Sequence, residues 1–175
     1  AYGRDLYGEP ALAKLLERLC RVSDIEWIRL LYCYPENVSD ELISVIAAED
    51  KVCKYIDMPI QHINDKVLKK MGRKTNGAAI REKIKMLREK IPEIAIRTTL
   101  ITGFPGETEA DFTELAEFVQ EIKFDRLGAF AYSQEEGTPA YSLPGQVPDE
   151  LKTRRREIIM ETQQGISAEK CRGEV

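Results

Sequence analysis

Residues 94–122 constrain the fold most. Ile94-Ala-Ile-Arg-Thr-Thr-Leu-Ile101 is apolar and β-branched, as expected of a strand covered on both faces. Downstream, Phe112, Leu115, Ala116, Val119 and Ile122 recur at helical spacing, and Thr108 with Asp111 can close a capping box at the start of that helix. Between strand and helix, Gly103 and Gly106 bracket Pro105. Glycine permits positive φ and close backbone approach at a strand's carboxyl end, where α/β folds place ligands. The same spacing also fits a plain strand-to-helix connection.

The rest of the chain repeats this alternation. Residues 1–8 carry no period, and Pro10 suits a first helical turn ahead of a face made by Leu12, Leu15, Leu16, Leu19 and Cys20. Residues 27–33 read as a strand stopped by Pro35, with Ser39 capping a helix whose face is Leu42, Ile43 and Ile46. Residues 52–60 read as a second strand ending at Gln61 and His62, followed by a short helix from Asn64 closed by Gly72. A further helix spans 77–91 with the stripe Ile80, Ile84, Leu87 and Ile91. Residues 124–132 form the fourth strand, 133–147 a loop rich in Gly, Pro, Ser and Thr, and a charged helix starts at Pro148. Four strands alternating with helices predict an α/β fold with a parallel sheet and right-handed crossovers.

Strand alternation bears on the kind of sheet. Arg97, Thr99, Ile101 and Gly103 share one face of the third strand, Asp57 and Gln61 one face of the second, and Arg29 lies mid-strand in the first. A flat sheet covered on both sides has little room for such groups, whereas the lumen of an open or partial barrel has. A partial (β/α) barrel of about four parallel strands with outer helices is therefore expected.

With 175 residues, 43% of them hydrophobic and 32% charged, the chain can bury one sizeable core, and residues 1–175 read as a single domain. The net charge of −4 excludes a global basic field. Cys20, Cys33, Cys53 and Cys171 are scattered and His62 is the one histidine, so no metal ligand set is expected within the chain. The same scatter, with no signal-like or membrane-spanning run, predicts a cytoplasmic protein without disulfides. The chain begins at Ala1 without an initiator methionine and reads as an excised piece of something longer.

Four stretches in order carry a resemblance. They are Tyr55-Ile-Asp-Met-Pro-Ile-Gln-His62, Leu68-Lys-Lys-Met-Gly-Arg73, Leu100-Ile-Thr-Gly-Phe-Pro-Gly-Glu-Thr108 and Phe130-Ala-Tyr-Ser-Gln-Glu-Glu-Gly-Thr-Pro139. Together they resemble the later part of the radical S-adenosylmethionine domain of a methylthiotransferase, from Tyr2 to about Ser167. Met58-Pro-Ile-Gln-His62 and Tyr2-Gly-Arg-Asp-Leu-Tyr7 look like the type that methylthiolates an aspartate β-carbon in the twelfth small-subunit ribosomal protein. The alternatives are the type that modifies an adenosine in transfer RNA, and a non-catalytic docking domain.

The resemblance implies a six-stranded partial barrel in which these strands are the third to sixth. It implies S-adenosylmethionine as cofactor and iron–sulfur clusters in the full-length protein. The family's C-x-x-x-C-x-x-C loop, which holds the four-iron cluster, has no match here, so the chain alone is expected to be inactive and to hold no catalytic residue. The cofactor-binding candidates are Gln61, Arg97, Thr99, Ile101, Gly103, Phe130 and Tyr132. Arg97 suits a carboxylate and Thr99 a ribose hydroxyl; the other reading of Arg97 is an ion pair with Asp57. Glu107 is expected at the start of the following helix, near free amides. His62 is expected to be a hydrogen-bonded loop residue. Lys66, Lys69, Lys70, Arg73 and Lys74 against Asp65 leave a local excess of +4 over residues 64–74, which is either a solvated face or a contact for ribosomal RNA. Arg154, Arg155 and Arg156 invite the same two readings.

Overall fold

The computed structural model of the chain describes residues 2–173. Its centre is a parallel sheet of β1 (Ile28–Leu30), β2 (Val52–Asp57), β3 (Ala95–Thr102) and β4 (Arg126–Ala131), in the order β1-β2-β3-β4. Helices α1 (Arg4–Tyr7) and α2 (Leu12–Cys20) precede β1, and α3 (Asp40–Ala48) links β1 to β2. Between β2 and β3 come α4 (Asp65–Lys70) and α5 (Gly77–Lys90); α6 (Glu109–Ile122) precedes β4, and α7 (Asp149–Arg172) follows it. This is the α/β alternation that the periodicity predicts.

The sheet has two unlike faces. Along β3, Ile96, Thr98, Leu100 and Thr102 are fully buried while Ala95, Arg97, Thr99 and Ile101 are half-buried. Ile96 and Leu100 of the buried set belong to the core with Ile43, Ile46, Ile56, Ile80, Ile84, Leu115 and Phe118. On the other face the register pairs Asp57 with Arg97, Thr99 with Gly128 and Ile101 with Phe130. Arg97, Thr99 and Ile101 are thus on the open side of the sheet, next to Asp57, as alternation predicts.

Several elements end differently from their sequence pattern, for local reasons. Residues 1–8 were expected to be irregular, yet α1 forms one turn between Gly3 and Gly8, both at positive φ. β1 is shorter than residues 27–33 because Tyr32 turns the chain at φ 56°. β2 stops at Asp57 rather than residue 60, since Pro59 has no N–H for the ladder. Thr98 spans that break, donating to Met58 O at 2.9 Å and accepting from Ile60 N–H at 3.4 Å. Pairing resumes at Gln61, whose N–H donates to Thr99 O and whose carbonyl accepts from Ile101 N–H.

The caps read in the sequence are present: Ser39, Asn64 and Thr108 each accept from amides of the first turn, and Thr108 with Asp111 forms the complete capping box. Asn76, which the sequence reading did not single out, caps α5 in the same way. Helix α7 packs on β4, α6 and β3 through Lys152, Arg155, Ile159, Gln163 and Ile166, a stripe at helical spacing in which three of the five side chains are polar.

Candidate functional site

Strand alternation and the parallel register put Arg29, Tyr55, Asp57, Arg97, Thr99 and Phe130 on the open face. The Asp57 carboxylate is buried and its Oδ1 lies 2.7 Å from an Arg97 terminal nitrogen, so the ion-pair reading of Arg97 holds. That bond to Asp57 raises the affinity of the Arg97 guanidinium for its proton. The pair does not use up the arginine: its side chain is 37% exposed and keeps donors of its fork free to face a ligand. Thr99 Oγ1 lies 3.5 Å from the same nitrogen. Toward β1, the Arg29 guanidinium lies 4.7 Å from the Tyr55 ring and 5.8 Å from that of Trp27.

The candidates from β4 divide. Phe130 is 60% exposed on the open face. Tyr132 continues the strand by donating its N–H to Thr102 O, and its ring meets Phe104 edge to face at 5.1 Å. Its hydroxyl is buried without a hydrogen-bond partner.

The turn after β3 is tightly packed. Gly103 has φ 72°, and a Cβ there would run into the Lys152 side chain of α7; one at Gly106 would meet the Lys70 ammonium. Phe104, Pro105 and the Glu107 side chain are buried. Glu107 precedes the helix but does not serve its free amides, contrary to expectation, because Thr108 and Asp111 already do. Its carboxylate turns back to accept from Gly103 N–H at 2.9 Å and from Arg155 at 2.8 Å. His62 Nδ1 accepts from Asn64 N–H at 3.0 Å, which leaves the ring proton on Nε2. Nε2 sits 3.4 Å from Glu107 Oε2, out of line for a hydrogen bond.

Sequence reasoning missed Arg155. Neither a solvated face nor a partner contact describes it, since it is buried and also reaches Glu109 at 2.9 Å. A buried arginine leaves no local trace in a run of three arginines; the stripe from Lys152 to Ile166 is the one available signal. Sequence reasoning also missed the cleft where Tyr32, Cys33 and Tyr34 meet Pro59, Gln61 and Arg73.

The cysteines do not meet. Cys20 lies on α2, Cys33 beyond β1, Cys53 on β2 and Cys171 on α7, and among the described residues no three His, Cys, Asp or Glu side chains gather as a metal site. Cys20, Cys33 and Cys53 are half-buried, whereas Cys171 is exposed rather than buried as an apolar residue would be. Burial, with help from the Asp57 charge, pushes the Cys33 thiol up to about 11. These side chains do not fit an iron–sulfur cluster, which needs neighbouring thiolates.

A family model described as the radical SAM superfamily matches residues 4–119. The chain is 56% identical over 168 residues to the ribosomal protein uS12 methylthiotransferase RimO of Alkaliphilus oremlandii, covering 96% of this chain and 38% of that relative. It is 53% identical over 168 residues to the protein of the same name from Clostridioides difficile, with the same coverage of 96% and 38%. The chain thus spans 38% of the length of these relatives. Among solved structures it is similar to the radical S-adenosylmethionine methyltransferase TsrM from Kitasatospora setae, with a TM-score of 0.60 at 20% identity over 74% of this chain and 26% of that one. Coproporphyrinogen III oxidase, HemN, from Escherichia coli gives a TM-score of 0.60 at 19% identity, covering 91% of this chain and 36% of that one. These structures share the fold, a partial (β/α) barrel with its helices outside. Sheet, register and sequence agree, and the chain belongs to the radical SAM superfamily.

Proposed function

We propose that the chain is a cofactor-holding wall of a methylthiotransferase that adds a methylthio group to an aspartate of ribosomal protein uS12. The observation that carries this reading is the 56% identity over 168 residues, a span that takes in every residue of the open face. The donors on that face suit S-adenosylmethionine. Arg97, held in place by Asp57, offers its remaining N–H groups to a carboxylate, and Thr99 offers a hydroxyl. Phe130 and Ile101 give apolar surface for a flat ring, and the unpartnered Tyr132 hydroxyl sits at the same strand ends. Gly103 is explained by Lys152 and by its own φ, so its share in the site rests on its backbone alone.

When bound, S-adenosylmethionine supplies the means of taking hydrogen from an unactivated carbon. The iron–sulfur chemistry of the full-length protein belongs to residues outside this chain. The solvated lysines Lys66, Lys69 and Lys74 offer phosphate contacts to ribosomal RNA around the substrate, and the place of action is the cytoplasm. Among the described residues no helix is long and apolar enough to cross a membrane.

The test is to express the full-length protein in a bacterium lacking its own methylthiotransferases and to examine uS12 and transfer RNA by mass spectrometry. One methylthio group on an aspartate of uS12 is expected. A methylthioadenosine in transfer RNA with unmodified uS12 would replace this reading by the RNA-modifying one, and no modification of either would favour a docking domain.

A further inference from the structure

Four successive residues at the end of β3 are each held by a different contact. Ile101 faces the open side beside Phe130. Thr102 is buried and donates its hydroxyl to Lys152 O at 3.2 Å. Gly103 N–H donates to Glu107 Oε2 at 2.9 Å, and Phe104 meets the Tyr132 ring edge to face at 5.1 Å. Helix α7 stands behind this junction. It supplies the Lys152 carbonyl, the Lys152 stem that fills the place of a Cβ at Gly103, and Arg155. The Lys152 ammonium lies 5.3 Å from the centre of the Tyr132 ring, so one residue of α7 touches both strand ends that carry cofactor candidates.

Arg155 aims the carboxylate on which Gly103 depends. One terminal nitrogen donates to Glu107 Oε1 at 2.8 Å and to Glu107 O at 3.2 Å, and the other donates to Glu109 at 2.9 Å. The Arg155 and Glu107 side chains are 4% and 0% exposed. With Oε1 held, Oε2 points at Gly103 N–H. His62 Nε2 lies 3.4 Å from that same oxygen and has no hydrogen-bond partner. Its ring proton competes for Oε2, and without the arginine the carboxylate is free to turn from Gly103 toward it. Stability alone does not call for such a pair, since apolar residues of similar volume hold a core as well or better. A neutral acceptor would also satisfy the Gly103 amide. What the buried pair adds is direction.

We propose that Arg155 is a positioning residue for S-adenosylmethionine: it fixes the Glu107 carboxylate on Gly103 N–H, and so the direction in which Ile101 and the Gly103 backbone meet the cofactor. This rests on the reading of the open face as a cofactor wall. Arg155 itself touches no ligand. Its effect passes through Glu107 to a peptide held at φ 72°, which Lys152 also restrains.

The test uses the full-length protein with its clusters reconstituted and reads two quantities. Equilibrium dialysis against labelled S-adenosylmethionine gives cofactor affinity, and the Gly103 amide resonance of ¹⁵N-glycine-labelled protein reports the bond to Glu107. Arg155→Met is expected to weaken cofactor binding about ten-fold, the size of one misdirected bond to a charged group, and to move the Gly103 amide proton upfield. Arg155→Lys restores part of both, because an ammonium keeps the charge but not the fork. Arg155→Met strands a buried carboxylate, so the double variant Glu107→Gln with Arg155→Met is measured beside it. That variant buries no unpaired charge, keeps an acceptor for Gly103 N–H, and is expected to fold yet bind the cofactor weakly, since nothing aims the carboxamide. Gln163→Leu removes the bond from α7 to Phe124 O further along the helix. It is expected to lower stability in urea and to leave both readouts unchanged. Parent-like affinity in the double variant, or an equal loss of affinity in Gln163→Leu, overturns the positioning role and makes Arg155 a structural residue. A parent protein that does not bind S-adenosylmethionine overturns the reading of the open face, and the proposal with it, whatever the Gly103 resonance shows.

Discussion

After β3 the chain turns through Gly103 and Gly106, whereas after β1 and β2 it turns through Tyr32 and Gln61. The first turn is closed. Its glycines adopt left-handed backbone at little cost, the space a side chain would take is filled by Lys152 and Lys70, and Glu107 binds both Gly103 N–H and Arg155. The second is open: residues with side chains hold the same kind of backbone around a cleft, where Gln61 Oε1 and Arg73 Nε stay unmatched, as His62 Nε2 and Arg155 Nε do beside Glu107. Glycine in a turn marks where the backbone needs freedom. A tyrosine or glutamine in left-handed backbone beside orphaned polar atoms marks a cost without a local return, and so points more firmly to a ligand.

If the β3 turn is structural, its disruption must show in stability first. Glu107→Ala strands Arg155, a buried cation whose remaining carboxylate partner, Glu109, is largely exposed. Breaking a buried pair in this way costs on the order of 3–5 kcal/mol. Urea denaturation of the full chain measures it, and a loss below about 1 kcal/mol would put Glu107 among the ligand-facing groups instead. Gly103→Ala comes next. It forces positive φ on alanine and drives a Cβ into Lys152, whose Cα would lie 3.1 Å away. The expected loss is about 2 kcal/mol, combining the left-handed penalty with overpacking. A tolerated alanine would mean that the turn has room, and would reopen it as a cofactor cradle.

How much of this is legible in the sequence depends on whether a feature is local. Helix faces, caps and the shared face of Arg97, Thr99 and Ile101 follow from periods of 3.6 and 2, and the structure keeps them. The ends of β1 and β2 do not follow, because one left-handed tyrosine and one proline override strand propensity. The buried face of α7 is masked by Lys152, Arg155 and Gln163, whose partners Asp149, Glu107 and Phe124 O become visible only in three dimensions. The cleft is the least legible, since Tyr32, Gln61 and Arg73 come from three segments with no common period. Arg97 stood between two readings, and the register with Asp57 makes the pair while leaving the other donors of the fork free.

The capping box after the closed turn gives a smaller effect with a definite pH sign. Burial alone would raise the Asp111 carboxyl, but the amide and hydroxyl of Thr108 outweigh it and hold the group below its ordinary value of 3.8. A lowered folded value means that the carboxylate's contribution is present above the unfolded value and is lost as pH falls through the folded one. Thr108→Ala should therefore cost about 1 kcal/mol near neutral pH, and the gap to the parent chain should narrow on acidification below about pH 4. A gap independent of pH would show that the hydroxyl acts without Asp111.

The smallest expected effect has the opposite sign and bears most directly on the open turn. Tyr32 holds φ 56° while its side chain is 76% exposed, so replacing it by glycine removes the left-handed penalty and forfeits little burial. Tyr32→Gly should stabilise the chain by about 0.5–1 kcal/mol, after the greater entropy of an unfolded glycine is set against the relieved strain. The same substitution takes away one aromatic wall of the cleft. A more stable variant would show that the left-handed backbone at Tyr32 is strain that its side chain does not repay in packing. One that is less stable would mean that Tyr32 is held by packing, which would return the β1 turn to the same class as the closed turn after β3.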